Sequence, residues 1–205
     1  MADTARVGVL ALQGDVVEHL HALNRAGAES IPVKTRVDLE RVDGLVIPGG
    51  ESTTVMKLLA RFDLGAPICT RVRGGMPLWG TCMGMIVAAH DVADLDQPTL
   101  DLIDITVRRN AFGRQNESAE VPLAIPAVGP QPFPAIFIRA PWIERVGSSV
   151  EVLAERDGHG VMVREGCVLG TSFHPELTSD PRVHRYFLEM VEAVRRHVGK
   201  GTTAA

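Results

Sequence analysis

Met76-Pro77-Leu78-Trp79-Gly80-Thr81-Cys82-Met83-Gly84-Met85-Ile86 is the stretch on which the fold turns. Met76 to Trp79 reads as a short buried strand and Met85 to His90 as a helix, and between them Cys82 stands among glycines, at Gly80-Thr81-Cys82-Met83-Gly84. Small flanking residues allow the sharp bend of a nucleophile elbow, here with a thiol in place of a hydroxyl. Such a turn holds its side chain out at the carboxyl end of a sheet, and the positive end of the following helix suits an anionic sulfur. A lone cysteine is more often a small buried hydrophobe. The glycines and the strand-to-helix junction reverse that reading for Cys82, while Cys69, in a helical stretch, and Cys167, entering a strand, keep it.

Outward from this point the chain alternates between strand and helix. Arg6 to Leu12 is an apolar run that ends at Gln13-Gly14-Asp15, and Val16, Val17, Leu20, Leu23 and Ala26 follow at helical spacing until Gly27. Ser30 to Val33 and Gly44 to Ile47 read as strands, and Val55 to Leu59 and Ile68 to Val72 as helical stretches. The expected fold is α/β: a three-layer sandwich with a mainly parallel central sheet between helices. Beyond Asp91 come extra short strands at Ile103 to Val107, Ala135 to Ile138, Val150 to Glu155, Gly160 to Val163 and Val168 to Ser172. Val121 to Pro134 carries Pro122, Pro126, Pro130, Pro132 and Pro134 and reads as a surface loop. A last helix is expected from Arg182 to His197. Residues 1–198 thus read as one domain, with 199–205 as a flexible tail.

A thiol nucleophile needs a base, and Ser172-Phe173-His174-Pro175-Glu176 follows the last strand. Positions i and i+2 of extended backbone face the same way, so Glu176 can orient the ring of His174 while the other nitrogen faces the sulfur. Alone, His-Pro-Glu would be a polar turn; with Cys82 it completes a nucleophile, base and orienter. Pro48-Gly49-Gly50-Glu51-Ser52-Thr53 is a further strand-to-helix junction, where two glycines let amides approach an oxyanion and Ser52 can cap the helix. It lacks the phosphate-binding Gly-x-x-x-x-Gly-Lys pattern.

Composition narrows the remaining choices. The net charge of −4 and the scattered arginines leave no basic footprint for nucleic acid, and nine aromatic residues give little material for base stacking. The N-terminal apolar stretch is too short for a secretory signal or membrane span, which makes a cytoplasmic protein the expectation. Three cysteines with no Cys-x-x-Cys spacing suggest reduced thiols, no disulfide framework and no metal site.

Taken in order, Gly-Gly-Glu-Ser, the Gly-Thr-Cys-x-Gly elbow and the late His-Pro-Glu resemble the class I, triad-type glutamine amidotransferases. GVLALQGDVVEHL (8–20), PGGESTT (48–54), GTCMGMI (80–86), RRNAFGRQ (108–115), FIRAP (137–141) and SFHPELTSD (172–180) are similar to one family among them. That family is PdxT, the glutaminase subunits of two-component pyridoxal 5′-phosphate synthases, and the motifs span nearly the whole chain. The resemblance implies hydrolysis of L-glutamine to L-glutamate and ammonia, the ammonia passing to a synthase subunit of the PdxS type within a large hetero-oligomer. It implies no cofactor. Cys82 would be the nucleophile, with His174 and Glu176 completing the triad. Gly50, Glu51, Ser52, Arg109, Ile138 and Arg139 would bind glutamine, and the N–H groups of Gly50 and Met83 would form the oxyanion hole. An arginine suits the α-carboxylate of an amino acid. The family often has alanine after the nucleophile where this chain has Met83, so its larger side chain bears on packing around the oxyanion hole.

Three rivals remain at this level: the glutaminase of another amidotransferase, a binding subunit without activity, and a γ-glutamyl or peptide hydrolase using the same residues. The RRNAFGRQ and FIRAP motifs weigh against the first and the intact Cys82, His174 and Glu176 against the second. The third would need an open cleft.

Overall fold

The computed structural model describes residues 4–93, 95–109 and 118–201. Its first half alternates as expected: β1 (Arg6–Leu10), α1 (Val16–Ala26), β2 (Glu29–Val33), α2 (Arg36–Glu40), β3 (Gly44–Ile47), α3 (Ser52–Arg61), α4 (Gly65–Arg73), β4 (Leu78–Thr81) and α5 (Met83–Ala88). There follow β5 (Ala89–Val92), β6 (Ile103–Arg108), β7 (Ser118–Leu123), β8 (Phe133–Ile138), β9 (Trp142–Val146), β10 (Glu151–Arg156), β11 (His159–Glu165), β12 (Val168–Thr171) and α6 (Arg182–Gly201).

Strands β2, β1, β3, β4 and β12 lie side by side and mutually parallel, and β11, β9, β6 and β5 extend the sheet, with β10 paired to β11. Every residue of β3, β4 and β12 is buried, as a sheet covered on both faces requires. The period of two divides their side chains between two cores. Leu10, Leu45, Ile47 and Leu78 pack with Val55, Leu59, Ile68 and Val72 of α3 and α4; Val7, Val9, Val46, Trp79 and Leu169 pack with Leu23 of α1 and Val183, Phe187 and Val191 of α6. This is the expected three-layer sandwich.

The second half differs from its reading in several places. The helix after Cys82 runs over Met83–Ala88 instead of Met85 to His90, because Ala89 turns extended (φ −60°, ψ 159°) and the chain enters β5, parallel to β6. The proline-rich stretch is not all loop. Its ends are β7 and β8, an antiparallel pair in which Pro122 sits opposite Pro134. A separate two-stranded sheet has outer edges that need no N–H donors, and there prolines are tolerated. Leu123, Ile125 and Phe133 are buried beneath it. Strand β9 and the short α2 had no distinct signal in the sequence; α2 is held by a capping box between Thr35 and Asp38. Helix α6 continues to Gly201, past the expected His197, and residues 202–205 of the expected tail lie outside the described residues.

Candidate active site

Four neighbouring parallel strands, β1, β3, β4 and β12, end on the same edge of the sheet, and each is followed by a segment that faces one pocket. Ligands in open α/β sheets bind at this carboxyl edge. After β1 comes Gln13-Gly14-Asp15, after β3 Gly49-Gly50-Glu51-Ser52, after β4 Cys82, and after β12 His174-Pro175-Glu176.

Cys82 occupies the bend itself, with φ 49° and ψ −107°, a strained conformation for a residue with a side chain. Its two glycines are needed for close approach. A Cβ on Gly84 would lie 1.9 Å from the carbonyl oxygen of Ile47, and one on Gly80 would lie 2.4 Å from the backbone of Gly84. Cys82 N donates to Thr171 O (2.7 Å), which ties the elbow to β12, and Sγ lies 3.9 Å from Ile138 O. Met83 opens α5, where the first amides of a helix lack partners within it, and its side chain is buried in the core beside Ile86.

The imidazole of His174 is buried and its Nδ1 stands 2.7 Å from Glu176 Oε1 and 3.5 Å from Asp15 Oδ2. Cys82 lines the same pocket, and since Nδ1 faces the carboxylates, Nε2 is the nitrogen left for the sulfur. Burial alone disfavours the imidazolium, but hydrogen bonds with Asp15, Cys82 and Glu176 and the charge of the sulfur outweigh it, and the His174 pKa is pushed up to about 12. Glu176 is fully enclosed; burial raises its pKa, and the bond to His174 opposes the rise. Asp15, His174 and Glu176 also bring three possible metal-ligand atoms within 4.8 Å of one another. Both carboxylates converge on the one nitrogen Nδ1, an arrangement accounted for by its proton.

The pocket, of about 240 Å³, is lined by nine of the ten residues singled out from sequence: Gly50, Glu51, Ser52, Cys82, Met83, Arg109, Ile138, Arg139 and His174. Glu176 is the tenth and sits behind His174. Arg109 lies 3.4 Å from Glu51 Oε1, so two expected glutamine-binding residues face each other. Arg139 takes up a left-handed φ of 43° at the rim. Ser52 does not cap its helix: Glu51 is the N-cap, and the buried Ser52 hydroxyl donates to Gln97 Oε1 at 2.9 Å. Of RRNAFGRQ, residues 110–115 lie outside the described residues.

Asp15, Ile86, Pro141 and Leu177 line the pocket without having been singled out. Asp15 carries the weak signal of ending a turn after the first strand. The loops around it are cross-linked: Gln13 Oε1 accepts from Glu51 N (2.8 Å), and Gly49 O from Asp15 N (3.2 Å). The other thiols are set apart. Burial raises the pKa of Cys69 and Cys167, whose sulfurs donate to Leu100 O and Val72 O, each at 3.5 Å.

A thiol on a strained elbow, beside an imidazole backed by a carboxylate at the carboxyl edge of a parallel sheet, is the arrangement of a cysteine-dependent amidohydrolase. Comparison with known proteins narrows this class. Residues 9–193 match the SNO glutamine amidotransferase family, and the chain belongs to it. It is 56% identical to the pyridoxal 5′-phosphate synthase subunit PdxT of Streptomyces coelicolor over 95% of this chain and 98% of the relative. To PdxT of Thermotoga maritima it is 50% identical over 91% of this chain and the whole of the relative. A crystal structure of a glutamine amidotransferase, 48% identical, superposes with a TM-score of 0.86 over 91% of this chain and 98% of its own.

Proposed function

We propose that the chain is the glutaminase subunit of a pyridoxal 5′-phosphate synthase, hydrolysing the side-chain amide of L-glutamine at Cys82 and passing the ammonia to the synthase subunit. The observation that carries this reading is the near full-length identity of 50% and 56% to PdxT subunits, in a chain whose Cys82, His174 and Glu176 share one site. The cavity of about 240 Å³ is below the roughly 300–1,000 Å³ of pockets for larger ligands, which favours a free amino acid over a peptide.

With His174 protonated beside it, the Cys82 sulfur attacks the side-chain carbonyl carbon of glutamine. The oxyanion is held by N–H groups of Gly50 and Met83. His174 gives its Nε2 proton to the nitrogen, the C–N bond breaks, and ammonia leaves a glutamyl thioester. Sulfur bound in the thioester no longer holds a charge against the ring, so two of the influences that raise the His174 pKa disappear. The imidazole is then free to take a proton from water, and attack of the hydroxide on the thioester carbonyl breaks the C–S bond, releasing glutamate and leaving the sulfur anion beside the reprotonated ring. Glu176 keeps the ring in one orientation throughout, while Glu51, Ser52, Arg109, Ile138 and Arg139 bind the substrate.

In this reading residues 1–198 act as one amidotransferase domain, the synthase partner is of the PdxS type in a large hetero-oligomer, and the setting is cytoplasmic. Among the described residues no helix is long and apolar enough to cross a membrane. The test is glutamate formation from L-glutamine by the chain alone and with a pyridoxal 5′-phosphate synthase subunit, with Cys82→Ala as the blank. Cys82-dependent turnover stimulated by the partner is expected. Strong turnover indifferent to the partner would point to a free-standing hydrolase, and none in either mixture would defeat the glutaminase assignment.

A further inference from the structure

Helix α1 begins beside the site, and two residues one turn apart reach the His174–Glu176 pair from different sides. Asp15 Oδ2 is 3.5 Å from His174 Nδ1, and His19 Nε2 is 3.3 Å from Glu176 Oε2. The spacing of four residues puts both on one face of the helix. His19 is fully buried, edge-on to Trp79 and tilted against His184, with Nε2 also 3.0 Å from Thr81 Oγ1.

The protonation of His19 follows from its surroundings. Burial, then His184 and His174, hold its pKa well below the ordinary value, so the ring is neutral and carries one N–H. Nδ1 has no hydrogen-bond partner among the described residues, whereas Nε2 faces a carboxylate oxygen that can only accept when ionised. The proton belongs on Nε2. Glu176 Oε2 is itself buried and makes no hydrogen bond of normal geometry with the described residues, which leaves the approach of His19 as its polar contact. A buried carboxylate oxygen without a donor is costly.

The geometry points to His19 as a positioning residue for the hydrolysis: its Nε2 is hydrogen-bonded to Thr81 Oγ1 at 3.0 Å and stands 3.3 Å from Glu176 Oε2, so the ring steadies the carboxylate whose Oε1 is on His174 Nδ1 and links it to the residue preceding the nucleophile. This rests on the glutaminase reading above. The titratable groups around the pair are Asp15 on the same helix, Cys82 at the elbow, His174, and His184 on α6. Withdrawing the donor disfavours ionised Glu176, and with it the orientation of His174 at lower pH.

Turnover by the wild-type chain with its synthase subunit, abolished in Cys82→Ala, checks the glutaminase reading by itself; without such turnover both readings fall. Given turnover, His19→Phe removes the N–H and keeps a ring. Its kcat should fall roughly 10- to 100-fold, the scale of losing an outer partner of a reactive group, with KM within about twofold. The acid limb of the kcat profile should move to higher pH, and His19→Gln, which retains an N–H donor, should recover most of the loss. Equal losses in both variants, or an unmoved acid limb, would assign His19 to packing alone. A second measurement needs no folded variant of this position: in the wild-type chain labelled with ¹⁵N-histidine, His19 should be a neutral Nε2–H tautomer whose resonance shifts in Glu176→Gln. An Nδ1–H tautomer overturns the proposal.

Discussion

Acidification should weaken this fold through His184, and the size of the effect can be worked from its surroundings. The ring is buried against Trp79, with centroids 5.0 Å apart, and neither nitrogen has a hydrogen-bond partner among the described residues. Burial first, and then the charge of Arg25, lower its pKa to about 3. The folded value lies below the unfolded value of about 6.5, so the unfolded chain takes up the proton first. The stability associated with the neutral ring is therefore complete above about pH 6.5 and is lost as pH falls toward about 3. At about 1.4 kcal/mol per pH unit below 6.5, going from about pH 7 to about pH 5 costs roughly 2 kcal/mol from this group. Urea unfolding of the wild type and of His184→Leu at both pH values isolates it, because the remaining titratable groups are common to the two chains. The wild type should lose roughly 2 kcal/mol more than the variant on acidification. Equal losses would show that the ring is protonated in the fold or solvated, and the reasoning would be wrong.

Two further outcomes concern the elbow and its thiol. Gly84→Ala would set a Cβ 1.9 Å from Ile47 O, forcing β3 and α5 apart; glutamate formation should vanish and the unfolding midpoint should drop by an amount equivalent to about 1–3 kcal/mol or more. Iodoacetamide at neutral pH should alkylate Cys82 well before Cys69 and Cys167, whose burial raises their pKa; peptide mapping with labelling of either of those first would contradict the assignment of the nucleophile.

What could be read from the chain was what local pattern encodes. Continuous apolar runs gave the central strands, because strands buried on both faces have no polar side to interrupt them. Gly27, at φ 107°, ended α1 where the helical spacing placed its end. Paired glycines around Cys82 and the spacing of His174 and Glu176 were legible because elbow and imidazole–carboxylate pair are both local. Strand β8 was read from Ala135 to Ile138, but its first two residues and the whole of β7 were hidden, since prolines signal a loop unless the partner strand's edge is known. The helix after Cys82 was placed two residues too late: the elbow starts it at Met83, and at its other end apolar residues continue through Ala88 and Ala89 without a break, where only pairing with β6 turns the chain into β5. Asp15 and His19 left no signal of their relation to His174 and Glu176, about 160 residues away in the chain.

Sheet order explains how such distant residues meet. β1, β3, β4 and β12 are neighbours, although the chain visits them with long intervals between. Parallel pairing fixes their carboxyl ends at one edge, so each can contribute a segment without any contributing a complete site. The consequence is a division of labour by strand: β4 carries the sulfur, β12 the imidazole and its carboxylate, β3 the glycine loop, and β1 the start of α1. That last contribution touches the other three. Gln13 accepts from Glu51 N, Asp15 faces His174, and His19 lies between Thr81 and Glu176. A displacement of the first turn of α1 must therefore change the glycine loop and the base together. The first loop and helix, which carry none of the reacting groups, therefore share in fixing the geometry of the groups that do.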